Sequence, residues 1–547
     1  MRKSFIYLII IIASAVNAQE RPSHFYFPYE LKALRKYNDD TPASNSINDI
    51  LVVGDTVWIA TSRGLSKSTN DGVNWTNYYN DEAFGTESVS SLAYDQVTHS
   101  IWASLAHSVD KGGQSLPEGS GLRFSTDGGT SWKTIPQPVD ALTDTIEQYG
   151  NNKLNALPVT VRVQNITYDI AISPNVVWIA SFAGGLRKNR IDSLIANPLA
   201  PWKRVVLPPD TKYQIKPSDT LNFCLSPVSG KYCSDNNLNY RVFSVICADD
   251  SIIFVGTANG INKTTNALKA ATSNDLVWTK YNHQQNPDSS ISGNFVVALE
   301  YASAGNPKTL WAATWKAEDL NESYGVSYTQ NAGTNWQTTL LDHKISNINA
   351  HKNTVIAASD DGAFRTTDFG TTWTLPGRIV DSQTKLPLMA KAFYSSSFNS
   401  TGDKLWLGTG EGLALQKGTS SGWADNWSVF FASQKLSAND DSYAFPNPFS
   451  PKTDVCKIKY STGGKSESVT IRIFNFGMKY IRTVIQNSQR GTQLHIVNNT
   501  NSSGVNGVLD FWDGKDDNGS VVPNGVYFYR VDVGSNNPVF GKIMVLQ

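Results

Sequence analysis

The sequence predicts an all-β protein on three observations: a composition of strand and turn formers, a strand-turn-strand phrase recurring through most of the chain, and a changed pattern near its end. The 547 residues include 15 Trp and 40 Gly, against 4 Met and 17% charged residues. This balance favours short strands and tight turns over helices. An apolar fraction of 40% provides ample core and excludes a disordered chain. The 47 basic residues match the 47 acidic ones, so nucleic acid is not expected as a partner.

Residues 1–18 read as a secretory signal peptide. Arg2 and Lys3 precede an apolar run from Phe5 to Val16 that is too short to span a bilayer, and Val16-Asn17-Ala18 supplies small residues for cleavage. Removal leaves 45 cations against 47 anions, a formal charge of −2. No later run approaches the length of a transmembrane helix, so none is expected after cleavage.

Residues 19–432 are organised by a repeat that can be read seven times. Its second strands are VWIAT from Val57, IWAS from Ile101, VWIAS from Val177, IFVGT from Ile253, LWAAT from Leu310, VIAAS from Val355 and LWLGT from Leu405. Bulky residues followed by small ones suit a wedge that narrows toward an axis. Third strands follow as GLSKS, GLRFS, GLRKN, GINKT, GVSYT, GAFRT and GLALQ. Four of them lead into a turn ending in Trp: NDGVNW from Asn70, TDGGTSW from Thr126, QNAGTNW from Gln330 and TDFGTTW from Thr367. In such a turn a short carboxylate bonds local backbone, Gly supplies positive φ, and Trp buries between sheets. Asn331 and Ala332 depart from the pattern, so that copy is expected to keep the turn by shape alone. Four strands per repeat close into a seven-bladed β-propeller. Residues 31–39, ending KYND, match the outer strand ending KYNH at His283 and are a further strand candidate.

The long insertions, residues 136–165, 207–239, 105–120 and 315–324, are expected on one face, where a repetitive scaffold gains a binding rim. Trp315, Glu318, Asp319, Glu322 and Tyr324 are candidates there, because aromatic faces stack on sugars while carboxylates accept hydroxyl hydrogens. His107, Asp110, Lys111 and Glu118 form a second set. Cys224 and Cys233 bracket a Pro/Gly loop and are expected to form a disulfide; Cys247 sits in an apolar run and reads as a small buried hydrophobe. No CxxC or HExxH occurs, so neither metal nor cofactor is expected.

From residue 433 a polar stretch leads into FPNPFS, whose prolines read as an extended linker over 433–450. Alternating strands KIKYS, VTIRIFNF and VYFYRVDV then predict a small antiparallel sandwich over 451–547.

The Trp-bearing turns resemble the Asp-box hairpins of sialidase-like and sortilin-like propellers. That resemblance implies a structural role for Asp71, Gly72, Trp75, Asp127, Gly129, Trp132, Gly333, Trp336, Asp368, Gly370 and Trp373. VWIAT followed by GL also resembles the repeats of periplasmic sensor propellers. The pieces FPNPFSP, VTIRIFNFGMKYIRTV, FWDGKDDNGSVVPNGVYFYRV and the terminal KIMVL resemble C-terminal sorting domains of type IX secretion substrates, and the Ig-like domain of the flagellar hook-capping protein. This implies type IX-like secretion machinery as a partner and a secreted or outer-membrane cell-surface location reached through the periplasm. The expected function is a binding or interaction protein with a carbohydrate or protein ligand at the rim. The alternative is an exported glycoside hydrolase, sialidase- or endoglucanase-like, though no Arg-Ile-Pro signature or Walker loop is present.

Overall fold

A computed structural model describes residues 41–229, 233–234, 236–284, 290–317, 321–419, 422–424, 426–433, 436, 442–463, 465–491 and 507–547. The expected signal peptide and the strand candidate at 31–39 lie outside the described residues.

Seven small antiparallel sheets follow one another along the chain. Their inner strands are Ile47–Val53, Ser88–Asp95, Thr167–Ser173, Val242–Asp249, Phe295–Ala302, Ile345–His351 and Phe393–Phe398. Each inner strand contacts the next, and the seventh returns to the first, so the sheets form a closed ring: the fold is a β-propeller. The second strands run beside them at Thr56–Thr61, Ser100–Lys111, Val176–Ser181, Ile252–Thr257, Thr309–Trp315, Thr354–Ser359 and Lys404–Thr409. Their small residues are required by crowding. A Cβ on Gly256 would meet the Val296 carbonyl oxygen at 2.5 Å, and one on Gly408 would meet Ile47 at 2.8 Å. The hydroxyl ending four of these strands also works locally: Thr61, Thr257, Ser359 and Thr409 each donate to the carbonyl of the Gly three residues on. This fixes the turn into the third strand.

Every inner strand carries a β-bulge near its start, at the register shifts Ile47/Asp49, Val89/Ser91, Thr167/Asp169, Val242/Ser244, Val296/Ala298, Ile345/Asn347 and Phe393/Ser395. A bulge re-aims a side chain and increases local twist. Repeated seven times, it turns one extra residue per sheet toward the axis.

The Trp-bearing turns pack as wedges between sheets. Trp75 joins the cluster of sheets seven and one, Trp132 that of one and two, Trp336 that of four and five, and Trp373 that of five and six. In the second copy Asp127 accepts hydrogen bonds from Ser125 Oγ and the Ser131 N–H, while Gly129 N–H donates to Ser125 Oγ. Asp368 does the same between Thr366 and Thr372. Two expectations change here. Asn331 makes the equivalent bonds to Thr329 and the Asn335 N–H, so an amide oxygen replaces the carboxylate and the turn is held by chemistry as well as shape. In the first copy the acceptor is Asn70, and Asp71 occupies the left-handed position that Gly128, Ala332 and Phe369 fill elsewhere. Its carboxylate reaches sheet seven instead, 2.7 Å from Lys404 and 2.9 Å from Lys417.

The insertions depart further from expectation. Residues 146–156 and 224–225 pair with each other in a separate three-stranded sheet, and Gln214–Ile215 adds a fifth strand outside sheet four. Tyr149 Oη donates to the Leu276 carbonyl at 2.7 Å, and Gly150 N–H to Asp275. Residues 275 and 276 lie in the turn between third and outer strands, at the end opposite the expected rim. The insertions therefore run down the ring's flank, because their apolar residues Tyr149, Leu154, Leu207 and Ile215 complete the core of sheets three and four. Cys224 and Cys233 are disulfide-bonded within this region.

The described residues between 442 and 545 form two further sheets, ordered Ser442–Phe445, Cys456–Ser461, Gly507–Trp512 and Tyr480–Arg490, Glu467–Phe474, Gly525–Val533, Val539–Val545. Part of the expected linker belongs here: Ser442–Phe445 is an edge strand, and Phe449 is buried in the core beside Trp512.

Candidate functional site

The seven inner strands enclose a cavity of about 390 Å3 on the ring axis. All the bulge residues line it: Asn48, Ser90, Tyr168, Phe243, Val297, Ser346 and Tyr394. Three aromatic rings and several hydroxyl and amide groups thus face one polar space.

Three carboxyls also line it, Asp49, Asp169 and Glu300. Burial pushes Asp49 and Asp169 up to about 7 and Glu300 up to about 8, against the opposing effect of the N–H groups they accept from. Each keeps a partly exposed edge on the cavity, where solvent opposes the shift. Their hydrogen bonds explain why they are here. Asp49 accepts from Leu92 N–H of the next sheet at 2.8 Å, Asp169 from Val245 N–H at 2.9 Å, and Glu300 from Ala350 N–H at 3.3 Å. Asn347 performs the same task for Ser396 N–H at 3.0 Å. The other three junctions use hydroxyl donors: Ser90 to the Thr167 carbonyl, Ser244 to that of Val296, and Ser395 to that of Ile47. Every seam between inner strands is therefore stapled by at least one polar side chain, with Asn48 and Asn349 each adding a second bond at theirs.

The expected rim residues are distributed differently. Residues 105–120 extend strands two and three of sheet two into a long hairpin, Ser100–Lys111 and Gln114–Ser125. Asp110 and Lys111 are exposed near its tip, where Asp110 accepts from Gly113 N–H. His107 Nδ1 lies 2.8 Å from Glu87 and 2.9 Å from Ser120, and the bond to Glu87 raises its pKa. This is not a nucleophile-base pair, because Ser120 Oγ donates directly to Glu87 at 2.6 Å. Glu118 is buried and paired with Arg162 at 2.8 Å.

In the other set, Trp315 is 2% exposed, donates to the Ile345 carbonyl, and has Lys344 Nζ 4.4 Å from its ring centre. Its ring therefore packs inside the seam instead of facing a ligand. Tyr324 packs edge-on against it. Glu322 is buried and accepts from Ala317 and Asn294 N–H, holding its own loop. Glu318 and Asp319 lie outside the described residues. The turn carboxylates Asp127 and Asp368 are pulled down to about 2 by hydrogen bonds, first of all from Ser131 and Thr372. Cys247 lines the axial cavity, half-buried, with its thiol pushed up to about 11 by burial. Among the described residues no three His, Cys, Asp or Glu side chains converge as metal ligands, and no helix is long and apolar enough to cross a membrane.

The axial residues escaped the sequence reading because their positions share no residue type. The available signal was a polar residue recurring in one column of otherwise apolar inner strands.

No family model and no curated protein matches the chain. Among solved structures it is similar to a chain of the mitotic checkpoint complex, at 11% identity over 72% of this chain and 99% of that one, with a TM-score of 0.42. It is similar to YCF48 from Cyanidioschyzon merolae, at 11% identity over 68% and 92%, TM-score 0.37. It is also similar to PorZ, a bacterial surface component of the type IX secretion system of Porphyromonas gingivalis, at 11% identity over 92% and 75%, TM-score 0.25. Scores this low carry no argument about function.

Proposed function

We propose that this chain is an exported, seven-bladed β-propeller interaction protein that takes a carbohydrate or protein ligand at the mouth of its axial cavity. The observation that carries the reading is the cavity itself, where Tyr168, Phe243 and Tyr394 stand beside Asn48, Ser90 and Ser346. Apolar faces with a few convergent polar groups are what a specific small-ligand or side-chain pocket requires. The signal-like N-terminus and the Ig-like, sorting-domain-like C-terminus support export by a type IX-like route to the cell surface or medium.

A glycoside hydrolase is the second reading, favoured by one observation. Burial pushes the Glu300 carboxyl up to about 8, the direction a general acid needs. Against it, all three axial carboxyls are engaged by backbone N–H groups of neighbouring sheets.

The full chain, screened on a glycan array and in parallel for glycoside hydrolysis, separates the two. Saturable binding weakened about tenfold by Tyr168→Ala or Tyr394→Ala, with unchanged melting temperature, supports the axial site. Turnover abolished by Glu300→Gln supports the enzyme. Binding unaffected by either Tyr variant moves the ligand elsewhere.

A further inference from the structure

The three-stranded sheet of the C-terminal body has two different faces. Cys456, Ile458 and Tyr460 point into its own core with Val508 and Trp512. Lys457 and Lys459 alternate with them and point outward, paired in register with Phe511 and Leu509 of the adjacent strand. On a free sandwich this outer face would meet water, and two lysines would suit it. Here Lys457 and Lys459 are only 2% and 3% exposed.

The propeller covers them. Lys457 Nζ lies 2.9 Å from Glu411 and 4.1 Å from the ring centre of Phe431. Lys459 Nζ donates to Ser433 Oγ at 3.0 Å. Leu509 and Phe511 pack on the apolar cluster of sheets six and seven, which includes Leu388, Phe393 and Trp427. Glu411 is itself fixed by N–H groups of Met389 and Ala390 at 2.7 and 2.8 Å, so the propeller presents an ordered anion to the incoming lysine. A buried ammonium is tolerated only where a counter-charge and hydrogen bonds offset its desolvation. That provision is complete here and comes from the other body.

We propose that this outer sheet face is a permanent docking surface whose partner is the propeller's own sixth and seventh sheets, so that the C-terminal domain stays bound to the ring after the connecting chain is cut. The seam combines an apolar cluster with the buried Lys457–Glu411 pair, a composition suited to a lasting interface. The ring's face at sheets six and seven is then shared with the second domain.

A specific protease site placed between Ser433 and Ser442 of the full chain tests this. After cleavage the two pieces should migrate together as a 1:1 complex in size exclusion and native mass spectrometry. Glu411→Gln, which leaves Lys457 enclosed without its counter-charge, should speed their separation at least tenfold. Cut wild-type pieces that separate promptly overturn the proposal, and an unchanged separation rate in Glu411→Gln overturns the assignment of the seam. Amine acylation of the uncut chain gives a reading independent of the cut. Lys457 and Lys459 should resist labelling while exposed Lys452 and Lys465 react, and equal reactivity would sink the idea.

Discussion

Asp49 and Asn347 stand one residue past the bulge in their strands and accept a backbone N–H from the next sheet in the same way. An amide can make the bond to the next sheet but has one acceptor oxygen where Asp49 uses two, so Asp49→Asn should fold at a cost of about 1 kcal/mol. Asp49→Ala should cost about 1–3 kcal/mol, since it strands the Leu92 and Ile50 N–H groups; chemical denaturation measures the difference. The carboxyls also set a pH dependence. A group held near 7 in the folded ring but at its ordinary value of 3.8 when unfolded binds its proton more tightly in the folded state. Its stabilisation is complete below the unfolded value and is lost as pH rises from about 4 to 7, or to about 8 for Glu300. The melting temperature should accordingly be higher at pH 5 than at pH 8, and Asp49→Asn with Asp169→Asn should flatten that slope. An unaltered slope in the double variant would assign it to other groups. None of this was legible beforehand: Asp in INDILVV and Glu in VVALEYA look like unrelated interruptions until the register aligns them.

At the scale of the element, the Trp-bearing turns show what a motif does and does not specify. Their hydroxyl, their Asx oxygen and their Gly form one hydrogen-bonded unit in all four copies. Asp127→Asn should thus be nearly neutral in a urea titration. Ser125→Ala, which removes the acceptor of Gly129 N–H, should cost about 1 kcal/mol. Trp336→Ala should cost about 3–5 kcal/mol, because the indole is 2% exposed between sheets four and five. Strands and turns were readable because their signals lie within a few residues of one another. The misplacement at Asp71 has a local cause: Asn70 and Asp71 are adjacent, both can accept in a turn, and only the backbone decides which does. Asp71 was released for a different task, the ion pairs with Lys404 and Lys417.

At the scale of the molecule, sheets one and seven meet without exchanging a strand among the described residues. Their seam holds through Asp71, the Ser395 staple, the contact of Thr41 with Ser433, and the cluster of Ile47, Trp75 and Trp406. The repeat predicted the ring, but not the sheet that the two insertions build on its flank, since strands 152–156 and 224–225 lie far apart in sequence and carry no shared signature. The Cys224–Cys233 disulfide belongs to that added layer. Its reduction should lower stability by roughly 2.5 kcal/mol on the loop-closure relation, read as a lower denaturant midpoint. An unchanged midpoint would show that the flank is held by its other contacts. The seven bulges carry a last consequence. Asn48 and Ser90 also bond across their seams, but Tyr168, Phe243, Val297, Ser346 and Tyr394 offer side chains to the central space while neighbouring residues keep the ladder and the staple, so at these five recognition and folding are written at separate addresses. A library randomised at those five bulge positions alone should consist mostly of folded members that differ in what they capture.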